Sequence, residues 1–360
     1  MNICFLLGGF QGNGGIGRVV SILANKLSEN KFYKVHTISF CEENKPMLYN
    51  LSEDIIQHKL YTKNISMTKA LLFKRAVGKV KKIIKENEID ILIACGALYY
   101  PLAILASRNN KCYCWEHTNP SISSDHKYQN ACRKYAIKRA DKFIVLTKSA
   151  EKYYLNKLNA EKDKLTQIYN PVDSVAFKSK YYNTDSKKII SVGRLCYQKN
   201  FELLIDVAEK VFLEHKEWTW DIYGEGGHRP QLEEILLSKN LVGRVNLKGQ
   251  ESDLYERYKD YSFMVMTSRY EGFPMSLIEG AANRLPLISF NIQTGPDEII
   301  EDGHNGFLIN EYSCDAMSAK VEQIISLIEL RKVMAENVYE TAKTFELNEI
   351  IKQWEQICKI

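Results

Sequence analysis

The chain has 360 residues, 45% of them hydrophobic, enough for two ordinary domains with buried cores, and its composition excludes disorder, low complexity and short-period repeats. Its net charge of +5 is uneven: residues 1–174 hold 27 Lys+Arg against 15 Asp+Glu, a balance of +12, and the remainder holds 22 against 29, a balance of −7. That asymmetry points the first half at an anionic surface.

Asn2–Leu7 reads as a buried strand. It lacks the basic start and the length of a signal peptide. No stretch reaches the roughly 20 apolar residues that span a bilayer, so a cytoplasmic protein is expected. A glycine-rich loop, Gly8 to Gly17, follows the strand, and a helix over 14–29 follows the loop, with Ile16, Val19, Val20, Leu23 and Leu27 on one face. Such a loop lets a phosphate approach the backbone at a helix N-terminus, with Gly14 and Gly15 as the close-approach residues. Gly12-x-Gly14-x-x-Gly17 also matches the dinucleotide fingerprint. The acid that fingerprint wants is poorly supplied, because Glu42 and Glu43 come late in an irregular segment.

Residues 67–87 read as a helix with Leu72, Ala76, Lys79, Val80 and Ile83 along one stripe, and Lys69, Lys74, Arg75, Lys81, Lys82 and Lys85 around it. Arg133, Lys134, Lys138, Arg139 and Lys142 form a second basic group. Near an anionic bilayer each such residue contributes about 1 kcal/mol. The two groups therefore read either as a solvated face or as a reversible docking surface for the inner leaflet. No nucleic-acid-binding module is present, and no nucleic-acid partner is expected. The nine cysteines include no Cys-x-x-Cys; Cys112 and Cys114, two apart on a strand, read as core residues in a reducing compartment.

Further strands are expected at 89–95, 111–116, 142–147 and 165–169, with helical patterns between most of them. Asn170-Pro-Val-Asp173 and the polar stretch to Ser186 mark a boundary. A second alternating series follows, at 188–192, 219–223, 244–247, 262–266 and 285–290. The expected architecture is α/β, with two doubly wound Rossmann-like domains, 1–173 and 174–344, facing across a cleft. A last helix near 348–358 can cross back onto the first domain.

Ligands of such sheets bind at the C-terminal ends of the strands. Gly193, Arg194 and Lys199 follow the first strand of the second series; arginine offers a planar fork to phosphate and lysine a point charge. Gly224-Glu225-Gly226 ends the next strand. Glu271-Gly-Phe-Pro-Met-Ser-Leu-Ile-Glu279 follows 262–266, with Pro274 suited to a first helical turn and Glu271 and Glu279 able to reach one ligand from one side.

Taken together, Glu271-x7-Glu279, Gly193-Arg194, Lys199, Gly224-Glu225-Gly226, the Gly14-Gly15 loop and Asn170-Pro-Val-Asp173 resemble the family 4 retaining glycosyltransferases of bacterial surface-polysaccharide type. The resemblance covers nearly the whole chain. It implies a GT-B fold with the active site between the domains. Arg194 and Lys199 would take the diphosphate of a nucleotide sugar, Glu279 the ribose hydroxyls, and Glu271 the donor sugar, helped by backbone amides from Phe273, Pro274, Met275 and Ser276. Gly14 and Gly15 would approach the diphosphate. His117, after the strand that ends near Trp115, matches a histidine that contacts the transferred sugar in such enzymes.

The expected activity is metal- and cofactor-free transfer, with retention, from UDP-hexose or UDP-N-acetylhexosamine to a saccharide acceptor. The expected acceptor is lipid-linked, undecaprenyl diphosphate being one such carrier, at the cytoplasmic face of the membrane. The competing readings are a GT-B epimerase, an NAD- or flavin-linked oxidoreductase, and a sugar or nucleotide binder with a decayed site.

Overall fold

The computed structural model describes residues 1–11, 15–42, 49–62, 70–119, 127–179, 181–251 and 254–359. The chain forms two compact units, Met1–Pro171 with Leu347–Ile360, and Val172–Glu346.

The first unit is built on strands β1 (Asn2–Leu7), β2 (Lys34–Cys41), β3 (Ile56–Tyr61), β4 (Ile91–Cys95), β5 (Lys111–Trp115), β6 (Lys142–Val145) and β7 (Leu165–Gln167). They lie in the order β3-β2-β1-β4-β5-β6-β7, every pair parallel. β1 is buried from Ile3 to Leu7 and β4 over its whole length, the continuous apolar reading of strands covered on both faces. The helix Gly15–Ser28 buries Val19, Val20, Leu23, Ala24 and Leu27, spaced to give one apolar stripe. The last helix, Leu347–Cys358, belongs to this unit. Its Trp354 meets Trp115 edge-to-face at 4.6 Å, and Tyr113 donates its hydroxyl proton to the Ile357 carbonyl at 2.7 Å.

The second unit carries β8 (Lys188–Val192), β9 (Thr219–Tyr223), β10 (Val245–Gly249), β11 (Phe263–Met266), β12 (Leu287–Phe290) and β13 (Gly306–Ile309), ordered β10-β9-β8-β11-β12-β13 and all parallel. In each sheet the order reverses once, at β1/β4 and at β8/β11. Ligand crevices of doubly wound sheets open at such reversals, beyond the carboxyl ends of the strands.

Three strands escape the sequence reading. β2 carries His36, Thr37 and Ser39, all buried, and these polar residues break its apolar run. β3 is a sheet edge with alternating exposure, and β13 has only four residues. Arg133 corrects the basic-face reading: it is buried, whereas Lys134, Lys138 and Arg139 are exposed. Among the described residues no helix is long and apolar enough to cross a membrane.

Candidate functional site

The reversal at β8/β11 places two loops together. The loop after β8 runs from Gly193 to Asn200; the loop after β11 runs from Thr267 to Pro274. Main-chain and side-chain bonds join them. The Arg269 amide donates to the Gln198 carbonyl at 2.8 Å, and Thr267 Oγ1 donates to the Lys199 and Asn200 carbonyls at 3.0 and 3.1 Å. Asn200 takes a left-handed backbone (φ 52°) at the start of the helix Phe201–Glu214, and its side chain is tied to Tyr312. The turn carrying Lys199 is thereby fixed.

Glu271 collects the side chains of both loops. Its Oε1 accepts from Lys199 Nζ at 2.6 Å and from Ser268 Oγ at 2.7 Å, and its Oε2 accepts from Gln198 Nε2 at 3.2 Å. The carboxylate is nearly enclosed, the Lys199 side chain only slightly less so. Arg194 stands exposed on the same loop, with Nη2 3.4 Å from Gln198 Oε1. Arg194, Lys199 and Glu271 are thus gathered around Gln198. The two residues assigned from sequence to separate parts of a donor, Lys199 and Glu271, are direct partners here.

The helix Met275–Ala282 begins one residue later than expected, with Pro274 as its extended N-cap. The Thr294 hydroxyl donates to the Glu271 carbonyl at 2.5 Å, and Gly295 packs against Pro274 so closely that a Cβ would lie 2.6 Å from Pro274 Cδ. These contacts brace the backbone from Glu271 to Ser276, whose following amides open a helix N-terminus suited to an anion. Glu279 lies one turn in, buried, with Oε2 accepting from Tyr258 at 3.0 Å.

Gly224 and Gly226 are demanded by the neighbouring loop. Gly224 has φ 133°, and a Cβ there would fall 1.9 Å from the Gly193 carbonyl oxygen; at Gly226 it would fall 2.3 Å from that of Leu195. Gly193 itself lies under the Lys199 side chain, with a Cβ position 2.8 Å from Cε. The Glu225 carboxylate is engaged by Arg229, at 2.7 and 2.9 Å, and this fork holds its pKa below the usual carboxylate value.

In the first unit Gly14 lies outside the described residues, and Gly15 is exposed at the start of its helix. Glu42, read from sequence as late and irregular, stands directly after β2, buried, with its carboxylate 3.3 Å from Lys59 Nζ. His117 follows β5. Its ring lies 4.3 Å from that of Trp115, burial depresses its pKa to about 3, and its Nε2 is buried without a hydrogen-bond partner among the described residues. Gln198, Ser268, Thr294 and Tyr258 were not singled out from sequence. Single polar residues carry no spacing signal; the β8/β11 reversal brings Gln198 and Ser268 together at Glu271. Among the described residues no three His, Cys, Asp or Glu side chains gather as a metal ion requires.

The chain is similar to known proteins in sequence and in fold. The description "Glycosyltransferase Family 4" matches residues 13–175, and "Glycosyl transferases group 1" matches residues 174–341. The chain is 26% identical to the amylovoran biosynthesis glycosyltransferase AmsD of Erwinia amylovora, over 99% of each chain. It is 28% identical to a poly(ribitol-phosphate) alpha-N-acetylglucosaminyltransferase of Staphylococcus aureus, over 76% of this chain and 56% of that one. In structure it resembles S. aureus TarM, solved with UDP and alpha-GlcNAc-glycerol, at a TM-score of 0.85 and 18% identity over 99% of both chains. The two family matches adjoin and together span the chain almost end to end, so the chain belongs to the family 4 type glycosyltransferases of GT-B fold.

Proposed function

We propose that this glycosyltransferase moves a hexose or N-acetylhexosamine from a UDP-sugar, with retention of configuration and without a metal, to a saccharide acceptor in surface-polysaccharide assembly. The observation that carries the reading is the group of Arg194, Gln198, Lys199 and Glu271 at the β8/β11 reversal. An ammonium has three donors, and Glu271 takes one from Lys199, leaving others for diphosphate oxygens. The exposed Arg194 supplies a second cation. Glu271, aligned by Lys199, Ser268 and Gln198, is the contact for the sugar, and Glu279 for the ribose. His117 and the Gly14–Gly15 loop add contacts to the sugar and the diphosphate.

The chemistry asked of these residues is electrostatic and positional. The C1–O bond to the diphosphate breaks, and the acceptor oxygen bonds to C1 on the same face. The acceptor proton passes to the departing phosphate oxygen. Retention is supported by the S. aureus relative, which is named an alpha-transferase, and by S. aureus TarM, which was solved with UDP and alpha-GlcNAc-glycerol. N-acetylglucosamine is the leading donor sugar, because several relatives are named for UDP-N-acetylglucosamine. The exposed Lys74, Arg75, Lys81, Lys82, Lys85, Lys134, Lys138 and Arg139 support a lipid-linked acceptor met at an anionic inner leaflet.

A thermal-shift panel of UDP-, GDP- and ADP-sugars tests the donor, followed by UDP release from the best binder. Selective stabilisation by a UDP-sugar is expected. Equal indifference to all three would overturn the donor assignment, and binding to anionic vesicles that is absent, or insensitive to salt, would overturn the membrane acceptor.

A further inference from the structure

Arg133 holds both neighbours of His117. Its Nε donates to Glu116 Oε2 at 2.6 Å, and its Nη2 reaches Glu116 Oε1 at 3.4 Å and Thr118 Oγ1 at 2.6 Å. Glu116 Oε1 in turn accepts from the Thr118 amide at 3.0 Å and the Thr118 hydroxyl at 2.6 Å. Tyr154 donates to Glu116 Oε2 at 3.3 Å, and Asn130 steadies Nη1 at 3.2 Å. The chain therefore folds back tightly over three residues, with His117 at the middle.

Both ions are almost fully buried, Arg133 at 1% exposure and Glu116 at 2%. A buried ion pair is a weak source of stability, since desolvation offsets most of its attraction, and a packed apolar pair would serve the core as well. What an apolar pair cannot supply is a planar fork bonded to residues on both sides of one imidazole. That imidazole keeps its Nε2 without a partner among the described residues.

We propose that Arg133, through Glu116 and Thr118, is a positioning residue that sets the His117 ring for its contact with the transferred sugar. The proposal rests on the reading of His117 given above. Lysine at 133 keeps the charge and loses the fork, so the loop shifts while the ion pair survives. A misplacement of about 1 Å at a reacting centre costs on the order of 10²-fold in rate.

The test is UDP release from UDP-N-acetylglucosamine by the full chain carrying His117→Ala, Arg133→Lys, or both, with free UDP binding measured alongside. His117→Ala and Arg133→Lys are each expected to lower kcat/KM by about tenfold to a hundredfold. The double variant should be no worse than His117→Ala, and UDP affinity should be unchanged in all three. Normal kcat/KM in Arg133→Lys beside a depressed His117→Ala overturns the positioning role alone, as does a double variant whose loss is the product of the two. Normal turnover in His117→Ala removes the reading of His117 and the proposal with it. If Arg133→Lys fails to fold, Thr118→Val decides, since it deletes the hydroxyl link and keeps the shape. A several-fold loss that vanishes in the His117→Ala background is expected, and no loss overturns the proposal.

Discussion

Lys199 Nζ lies 2.6 Å from Glu271 Oε1, joining residues 72 apart in the chain and two loops that end different strands. The contact separates two effects of mutation. Removing one donor to developing charge typically costs about 10²–10³ in rate, so Lys199→Ala and Arg194→Ala should each lose that much turnover. Their stabilities should differ. Lys199→Ala strips a nearly enclosed carboxylate of its cation, a loss of about 1–3 kcal/mol. Arg194 is exposed and bonded only weakly to Gln198, so its removal leaves the melting temperature in place. Turnover and thermal melts of the two variants side by side check this. A folded Arg194→Ala, Lys199→Ala double variant with near-normal turnover would sink the site assignment.

Gly224 and Gly227 lie three residues apart and should respond oppositely to alanine. At Gly224 a Cβ meets the Gly193 carbonyl oxygen at 1.9 Å, on a backbone with φ 133°. The backbone strain alone is of order 1–3 kcal/mol, and the contact forces the Gly193–Arg194 turn to move. At Gly227 a Cβ meets nothing within 4 Å. Gly224→Ala is expected to lower both stability and UDP-sugar affinity, and Gly227→Ala neither, by thermal shift with and without donor.

Tyr258 supplies the hydroxyl bond to the buried Glu279 carboxylate. Tyr258→Phe keeps the ring and deletes that bond, which costs about 1–3 kcal/mol when a buried acceptor loses its donor. If Glu279 receives the ribose, the loss should appear as weaker UDP binding with an unchanged reaction step: KM rises and kcat stays. A fall in kcat at constant KM would place Glu279 elsewhere in the cycle.

The strand ends were legible in the sequence because β1, β8 and β9 are short, largely apolar runs each followed by glycine, and their expected bounds match the observed ones. The charged residues of the candidate site were legible as candidates because they follow such runs. Its supporting residues were not. Ser268 and Gln198 bond Glu271 across loops that the β8/β11 reversal brings together, and sequence spacing does not encode that reversal. Arg133 was misread for a related reason. It sits in a helix with four other basic residues, Lys127, Lys134, Lys138 and Arg139, and only the position of Glu116 at the end of β5 turns it inward.

His36 and His58 face one another across β2 and β3, with Nδ1 and Nε2 3.2 Å apart. Burial, then His58 and Lys34, lower the His36 pKa to about 4, and burial lowers that of His58. In the unfolded chain both titrate near about 6.5. As pH falls from there, the unfolded state takes up protons that the folded state refuses until about pH 4. Stability should therefore decline through this window on acidification, and recover as pH rises. Replacing both histidines with asparagine should flatten the slope, which thermal melts between those limits would show; an unchanged slope would assign the acid sensitivity elsewhere.

Trp354 ties the end of the chain to the first unit. Its ring is fully buried and meets Trp115 edge-to-face, and Trp115 lies 4.3 Å from His117. Truncating a buried tryptophan to alanine costs about 3–5 kcal/mol, a large share of one domain's stability. With two units present, a single melting temperature averages over both, so the informative measurement is hydrogen exchange resolved along the chain. Trp354→Ala should weaken protection in β5 and in the helix Gly15–Ser28, against which the helix Leu347–Cys358 packs, and leave β8, β9 and β11 unchanged. The same variant should lower turnover, because the Trp115 ring that supports His117 loses its backing. Loss of protection spread evenly over both sheets would mean that the helix stabilises the whole chain rather than the unit it packs in.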